Sequence, residues 1–183
     1  MVEAGVSDEE MPGGADPGER VSRRAEAEGE RLKERIYASL TLLAVLVGLA
    51  QGGHAGPTGA AVSVAVTALG LWLATLVADL QAHPVVFGRR PRVREIRHAL
   101  FTSSPLLSSA AGPLLLIGAS GAGLFGLTTA LWISVGSEVA ALALWGFVGG
   151  RRVGSGRAGA AVAAVLNAAI GAGVVSVKLL AGH

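Results

Sequence analysis

The chain has 183 residues, of which 51% are hydrophobic and 15% charged, with a mean hydropathy of +0.57; that is too apolar for a soluble domain of this size, whose surface must be largely polar. It contains no cysteine, which excludes disulfides, thiolate metal sites and cysteine nucleophiles. The net charge of +2 joins an acidic N-terminal region to a basic remainder, and no interleaving of aromatic with basic residues points to nucleic acid.

Taken in chain order, residues 1–18 combine Gly, Pro, Asp and Glu with few apolar side chains. They bury too little surface to offset the entropy of ordering, which predicts a disordered acidic tail. Residues 19–35, "ERVSRRAEAEGERLKER", place opposite charges at helical spacing, such as Glu19 with Arg23, and predict a solvated cytoplasmic helix leading into the membrane. Residues 36–183 then form a transmembrane domain. Its five apolar segments run about 36–56, 58–80, 105–122, 124–148 and 158–180, each long enough to cross roughly 30 Å of hydrocarbon. The expected architecture is an all-α membrane protein of five transmembrane helices.

The connections alternate in charge. "QGGHAGPTG" and "GASGAG" hold no Lys or Arg, whereas "GRRPRVREIRH" holds Arg89, Arg90, Arg92, Arg94 and Arg97, and "RRVGSGR" holds Arg151, Arg152 and Arg157. With the basic residues before the first span, every one of the 15 except Lys178 falls on one side. By the positive-inside rule that side is the cytoplasm, so the N-terminus is expected inside and the C-terminus outside a cell (inner) membrane. Lys178, near the outer end of the fifth span, has a stem long enough to snorkel to the interface. An acid-rich stretch of 35 residues before the first apolar run argues against a cleaved signal peptide there.

Small residues recur at helical spacing in the fifth span: Ala160, Ala164, Ala168, Ala172 and Ser176 in one stripe, Ala163, Asn167 and Gly171 in its neighbour. Such stripes let helix backbones approach closely in lipid, which predicts a compact bundle.

One acid lies deep in this apolar chain. Glu138, in "ALWISVGSEVAALALWGF", sits near the middle of the fourth span, where an ionised carboxylate costs on the order of 3 kcal/mol. It must be protonated, partnered or hydrated. Ser134 lies one turn away, and Asn167 in the antiparallel fifth span falls at a similar depth counted at about 1.5 Å per residue, so Glu138, Ser134 and Asn167 form a candidate proton or ion site. The plainer alternative is a neutral acid bonded to Asn167 or a backbone carbonyl as an interhelical staple.

At the basic face, Asp79 and His83 stand four apart and Glu95 and His98 three apart. Two carboxylates and two imidazoles at such spacings form a candidate divalent-metal site, although the neighbouring arginines are natural partners for Asp79 and Glu95. Val93, Ile96, Leu100 and Phe101 give the same segment an apolar face. It therefore reads as an interfacial helix whose Arg89, Arg90, Arg92, Arg94 and Arg97 contact anionic lipid headgroups. No nucleophile–base pair or metalloprotease pattern points to an enzyme.

The five-span plan, with its polar connection after the second span and its end reading "TALWISVGSEVAALALWGFVGGRRVGSGRAGAAVAAVLNAAIGAGVVSVKLLAG", resembles the vacuolar iron transporter family. The resemblance implies proton-coupled export of ferrous or manganous ions, so a divalent metal ion would be the substrate. It also implies acidic and Met ligands on the first two spans and a carboxylate-rich helical domain between spans two and three. Here "IYASLTLLAVLVGLA" has no acid, the second span has only Asp79 near its end, and the linker is short and arginine-rich, so no ligand residue is carried over. A proton-linked carrier using Glu138 is one expectation, as a homodimer because five thin helices leave little room for a pathway within one chain. A non-transporting scaffold or accessory subunit that engages lipids or cytoplasmic partners through its basic loop is the other.

Overall fold

The computed structural model describes residues 17–53, 56–89 and 92–182; the acidic segment before Pro17, together with His54, Arg90 and His183, lies outside them. Seven α-helices follow one another: α1 (Pro17–Gly52), α2 (Pro57–Phe87), α3 (Val93–Thr102), α4 (Ser104–Ser109), α5 (Ala111–Gly121), α6 (Leu127–Arg152) and α7 (Gly156–Ala181). No strand occurs among the described residues.

Four stretches are long and apolar enough to cross a membrane: Glu28–Gly52 in α1, Pro57–Val85 in α2, and α6 and α7 whole. The charged segment 19–35 is continuous with the first apolar run in the single helix α1. Alanine, leucine and the paired Glu and Lys/Arg of this segment are all strong helix formers, so nothing in the sequence stops the helix at the change of polarity.

The third apolar segment is different, being divided at Ala110 into α4 and α5. Pro113 has no N–H for the carbonyl of Ser109, and its ring crowds that carbonyl. The Ser109 hydroxyl donates instead to the Leu106 carbonyl at 2.7 Å, and helical bonding resumes with the Leu114 N–H to the Ala110 carbonyl at 3.0 Å. The apolar stretch Leu106–Gly121 measures about 24 Å at 1.5 Å per residue, short of the roughly 30 Å of a hydrocarbon core.

Contacts along α1 and α6 set an antiparallel register. Glu28 pairs with Arg152, Leu32 lies beside Gly149, the Arg35 guanidinium stands 4.5 Å over the Trp145 ring, and Ser39 hydrogen-bonds to Glu138. α7 runs parallel to α1, with Leu43 near Gly171 and the Gln51 side-chain amide donating to the Leu179 carbonyl at 3.3 Å. Pro57 meets Gly121, so the start of α2 and the end of α5 share the end of the bundle where α1 finishes. The arginine-rich connections gather at the opposite end.

α6 and α7 approach most closely. A Cβ added to Gly146 would stand 2.6 Å from the Ala163 carbonyl oxygen, and one added to Gly150 would stand 2.7 Å from Ala160 Cα. Both obstacles are backbone, which cannot give way as a flexible side chain does. Of the two small-residue stripes on α7, the face with Ala160, Ala163, Asn167 and Gly171 meets α6, whereas Ala172 and Ser176 are exposed. Leu42, Leu43, Leu46, Ile117, Leu131 and Leu142 fill the centre. Large apolar side chains also crowd the outside: Val62, Val66, Leu69, Leu73 and Val77 on α2, and Val165, Leu166 and Ile170 on α7. That outer coat is the reverse of a water-facing surface.

Gly146→Ala and Gly150→Ala are expected to destabilise the bundle by about 1–3 kcal/mol each through overpacking. Gly136→Ala, whose added Cβ meets nothing within 4 Å, serves as the neutral control. Reversible unfolding in mixed detergent measures all three.

Candidate functional site

Ser39 comes from "IYASLTLL" on α1 and is 2% exposed; Glu138 on α6 is 5% exposed. The register of the two helices brings them together, and the Ser39 hydroxyl donates to the Glu138 carboxyl. They stand at the inner edge of a cavity of about 260 Å³ lined also by Arg35, Ser108, Ser109, Gly112, Pro113, Ser137, Ala141 and Trp145. The cavity exists because α5 starts only after the break at Ala110, so the small residues around that break face α6 where a continuous helix would carry bulk. Four serine hydroxyls, one acid and one guanidinium thus share a pocket between mostly apolar helices.

The three residues expected around the buried acid separate. Ser134 is fully buried on the same face of α6, but its hydroxyl donates to the Ala130 carbonyl at 2.8 Å, as serines in apolar helices commonly do. Asn167 packs against Gly146, eight residues along α6 from Glu138 and so about 12 Å away. Helical side chains lean toward the N-terminus, which tilts Glu138 away from Asn167 and toward Ser134.

At the basic end, Glu95 is held by Arg89 through two hydrogen bonds, one of 3.1 Å, and receives the Arg92 backbone N–H at 2.7 Å. His83 Nε2 lies 3.1 Å from the same carboxylate. The result is a clasp that ties the end of α2 to the first turn of α3. Asp79 is elsewhere: it lies within electrostatic reach of Glu30, Lys33 and Glu34 on α1. His98 belongs to α3, but its side chain, like Arg90, is outside the described residues. No group of three or more His, Cys, Asp or Glu placed to hold a metal ion occurs among the described residues.

Glu34 went unnoticed in the sequence because it sits among charged neighbours and looks solvated. It is 7% exposed, on the α2 side of α1, with one carboxylate oxygen lacking a hydrogen-bond partner among the described residues. Asp79 is its foremost charged neighbour. Ser39, Ser108, Ser109 and Ser137 were equally easy to pass over, although hydroxyls inside apolar runs were the available signal.

No protein family, curated protein or solved structure matches the chain.

The Arg89 guanidinium, helped by the Arg92 N–H, holds the Glu95 carboxyl down to about 2 from its ordinary 4.5. A depressed carboxyl stabilises the folded loop fully above its unfolded value and loses that contribution only as pH falls through the folded one. The clasp should therefore stay intact at pH 4.5 and open between there and about pH 2. A carboxyl carbon-13 titration by NMR checks this: Arg89→Ala should raise the Glu95 midpoint toward the ordinary carboxyl value, with the Arg92 N–H and His83 still holding it part of the way down.

Proposed function

We propose that this chain is a multi-pass membrane protein, with its N-terminus and arginine-rich end in the cytoplasm and its C-terminus outside, that works as a small proton-linked carrier with Glu138 as the protonatable group. The outer coat of apolar side chains and the four membrane-length helices support residence in a bilayer. A third crossing by α4 and α5 together makes the count five. Their combined shortness is accommodated by the serines and the break, since irregular backbone at membrane depth is tolerated where it lines a cavity.

The observation that carries the reading is the placement of Glu138: almost wholly buried, bonded by Ser39 and bordering a polar cavity. A structural staple would need only the hydrogen bond. Intramembrane acids facing such cavities are what proton relays are built from.

Glu34 and Asp79 extend the reading to a cation. They put a pair of acids on the first two helices at the basic end, within electrostatic reach of each other. A divalent ion is accordingly the first substrate to test, with a homodimer as the working assembly. The scaffold reading is favoured by a separate observation: Arg92, Arg94 and Arg97 are exposed on and beside α3, while Arg89 is engaged by Glu95. Headgroup contact would then fall to those three.

Purified protein in liposomes with an internal pH dye and a divalent-ion dye tests the carrier. Proton flux is expected from the native chain and should fall to the rate of empty liposomes in Glu138→Gln; Glu34→Gln and Asp79→Asn should reduce the ion signal more than the proton signal. Equal flux in native and Glu138→Gln protein would reject the carrier and leave the scaffold.

The lack of native cysteine also allows a clean map of threading. Single cysteines replacing the exposed Gly56 and Leu124 should react with an impermeant maleimide from outside, and one replacing the exposed Val153 only after the membrane is opened.

A further inference from the structure

The cavity beside Glu138 opens sideways. Ser108, Gly112 and Ser137 line it and are also exposed on the outer flank of the bundle. The mouth therefore lies between α4–α5 and α6, facing the surroundings of the helices and not an end of the bundle. A polar recess giving onto hydrocarbon is costly unless a polar group fills it.

The order of side chains along the bundle axis identifies that group. Nearest the basic end are Arg35 and the Trp145 ring beneath it. Next come the hydroxyls of Ser39, Ser108, Ser109 and Ser137 with the Glu138 carboxyl. Beyond the mouth, toward the opposite end, Leu115 on α5 and Ile133 on α6 stand exposed at 75% and 48%. Cation, then hydrogen-bonding groups, then apolar surface is the sequence phosphate, ester, acyl chain read from the protein side.

From this we infer that the cavity holds one anionic phospholipid, entering between α4–α5 and α6, with its phosphate on Arg35, its glycerol-ester region in the polar serine-lined stretch, where the Ser109 and Ser137 hydroxyls already donate to the Leu106 and Ser134 carbonyls, and its chains along Leu115 and Ile133. Arg35 selects for negative over zwitterionic lipid, and the exposed Arg92, Arg94 and Arg97 at the same end of the bundle add positive potential. A guanidinium is well matched to a phosphate, which it can meet with two parallel hydrogen bonds. The inference depends on the cavity and not on transport through it.

Native mass spectrometry of the full-length protein, delipidated and titrated with phosphatidylglycerol or phosphatidylcholine, tests the inference. One phosphatidylglycerol should be retained per chain, and phosphatidylcholine about tenfold more weakly. Arg35→Gln should weaken phosphatidylglycerol by about tenfold, a loss typical of removing a charge-assisted bond, with Arg35→Lys recovering part of it. Ser137→Trp, placed on the exposed rim, should block retention without disturbing the core.

Lipid retention by the native chain is read with no flux involved, so this inference and the carrier reading fail separately. Equal retention of the two lipids, or retention unaffected by both Arg35→Gln and Ser137→Trp, would overturn the lipid site. So would efficient Ser137→Cys cross-linking between two copies in native membranes with no lipid retained, because a second chain would then be the cover.

Discussion

Among the described residues, the tightest helix pairing sets backbone against backbone, with the Asn167 amide wedged beside Gly146. Where α6 meets α7, Gly146 and Gly150 leave no room for even a methyl group against Ala163 and Ala160. In lipid, burying apolar side chains gains little, since the surroundings are equally apolar, so close packing of helices has to supply the cohesion. That approach fixes the rotation of α6 about its own axis. With Gly146 and Gly150 turned to α7, the Glu138 stripe is turned to α1.

The face that α1 offers to α6 then changes character in steps. Glu28 meets Arg152 at the charged end, Arg35 meets Trp145 at the threshold of the apolar run, and Ser39 meets Glu138 inside it. Each contact is weaker in formal charge than the one before, as the falling polarity of the surroundings requires: a full ion pair is cheap where water reaches it and expensive where it does not. A hydroxyl facing an acid is the last member of the series that needs no separated charge. The serine-lined cavity sits at that last step, bounded on its third side by the break that Pro113 imposes.

Much of this could be read from the sequence, and the rest could not for definite reasons. The apolar runs gave the four long helices, and Glu138 stood out because a lone acid in "VGSEVAAL" must be protonated, partnered or hydrated. Depth along a helix is also readable, at about 1.5 Å per residue. Which neighbour shares that depth is not, because rotation about the axis is decided by tertiary packing. The register between helices is settled there too: Asn167 lies at Gly146, about 12 Å along α6 from Glu138, while Ser39, on a helix far away in sequence, faces the acid. Glu34 was hidden by context, since a glutamate in "GERLKER" carries the composition of a solvated surface even when its own face is covered. Pro113 was visible as a helix breaker, yet the run around it is apolar enough to count as one segment until the break at Ala110 is seen.

α1 continues as one helix from the charged segment into the apolar one. A continuous helix is stiff along its length, because bending it sharply means breaking consecutive backbone hydrogen bonds. The arm beyond the bilayer and the wall of the cavity are therefore two ends of one lever. Glu28, which pairs with Arg152, and Ser39, which meets Glu138, are thus held in one rigid rod, so the two contacts share a single register.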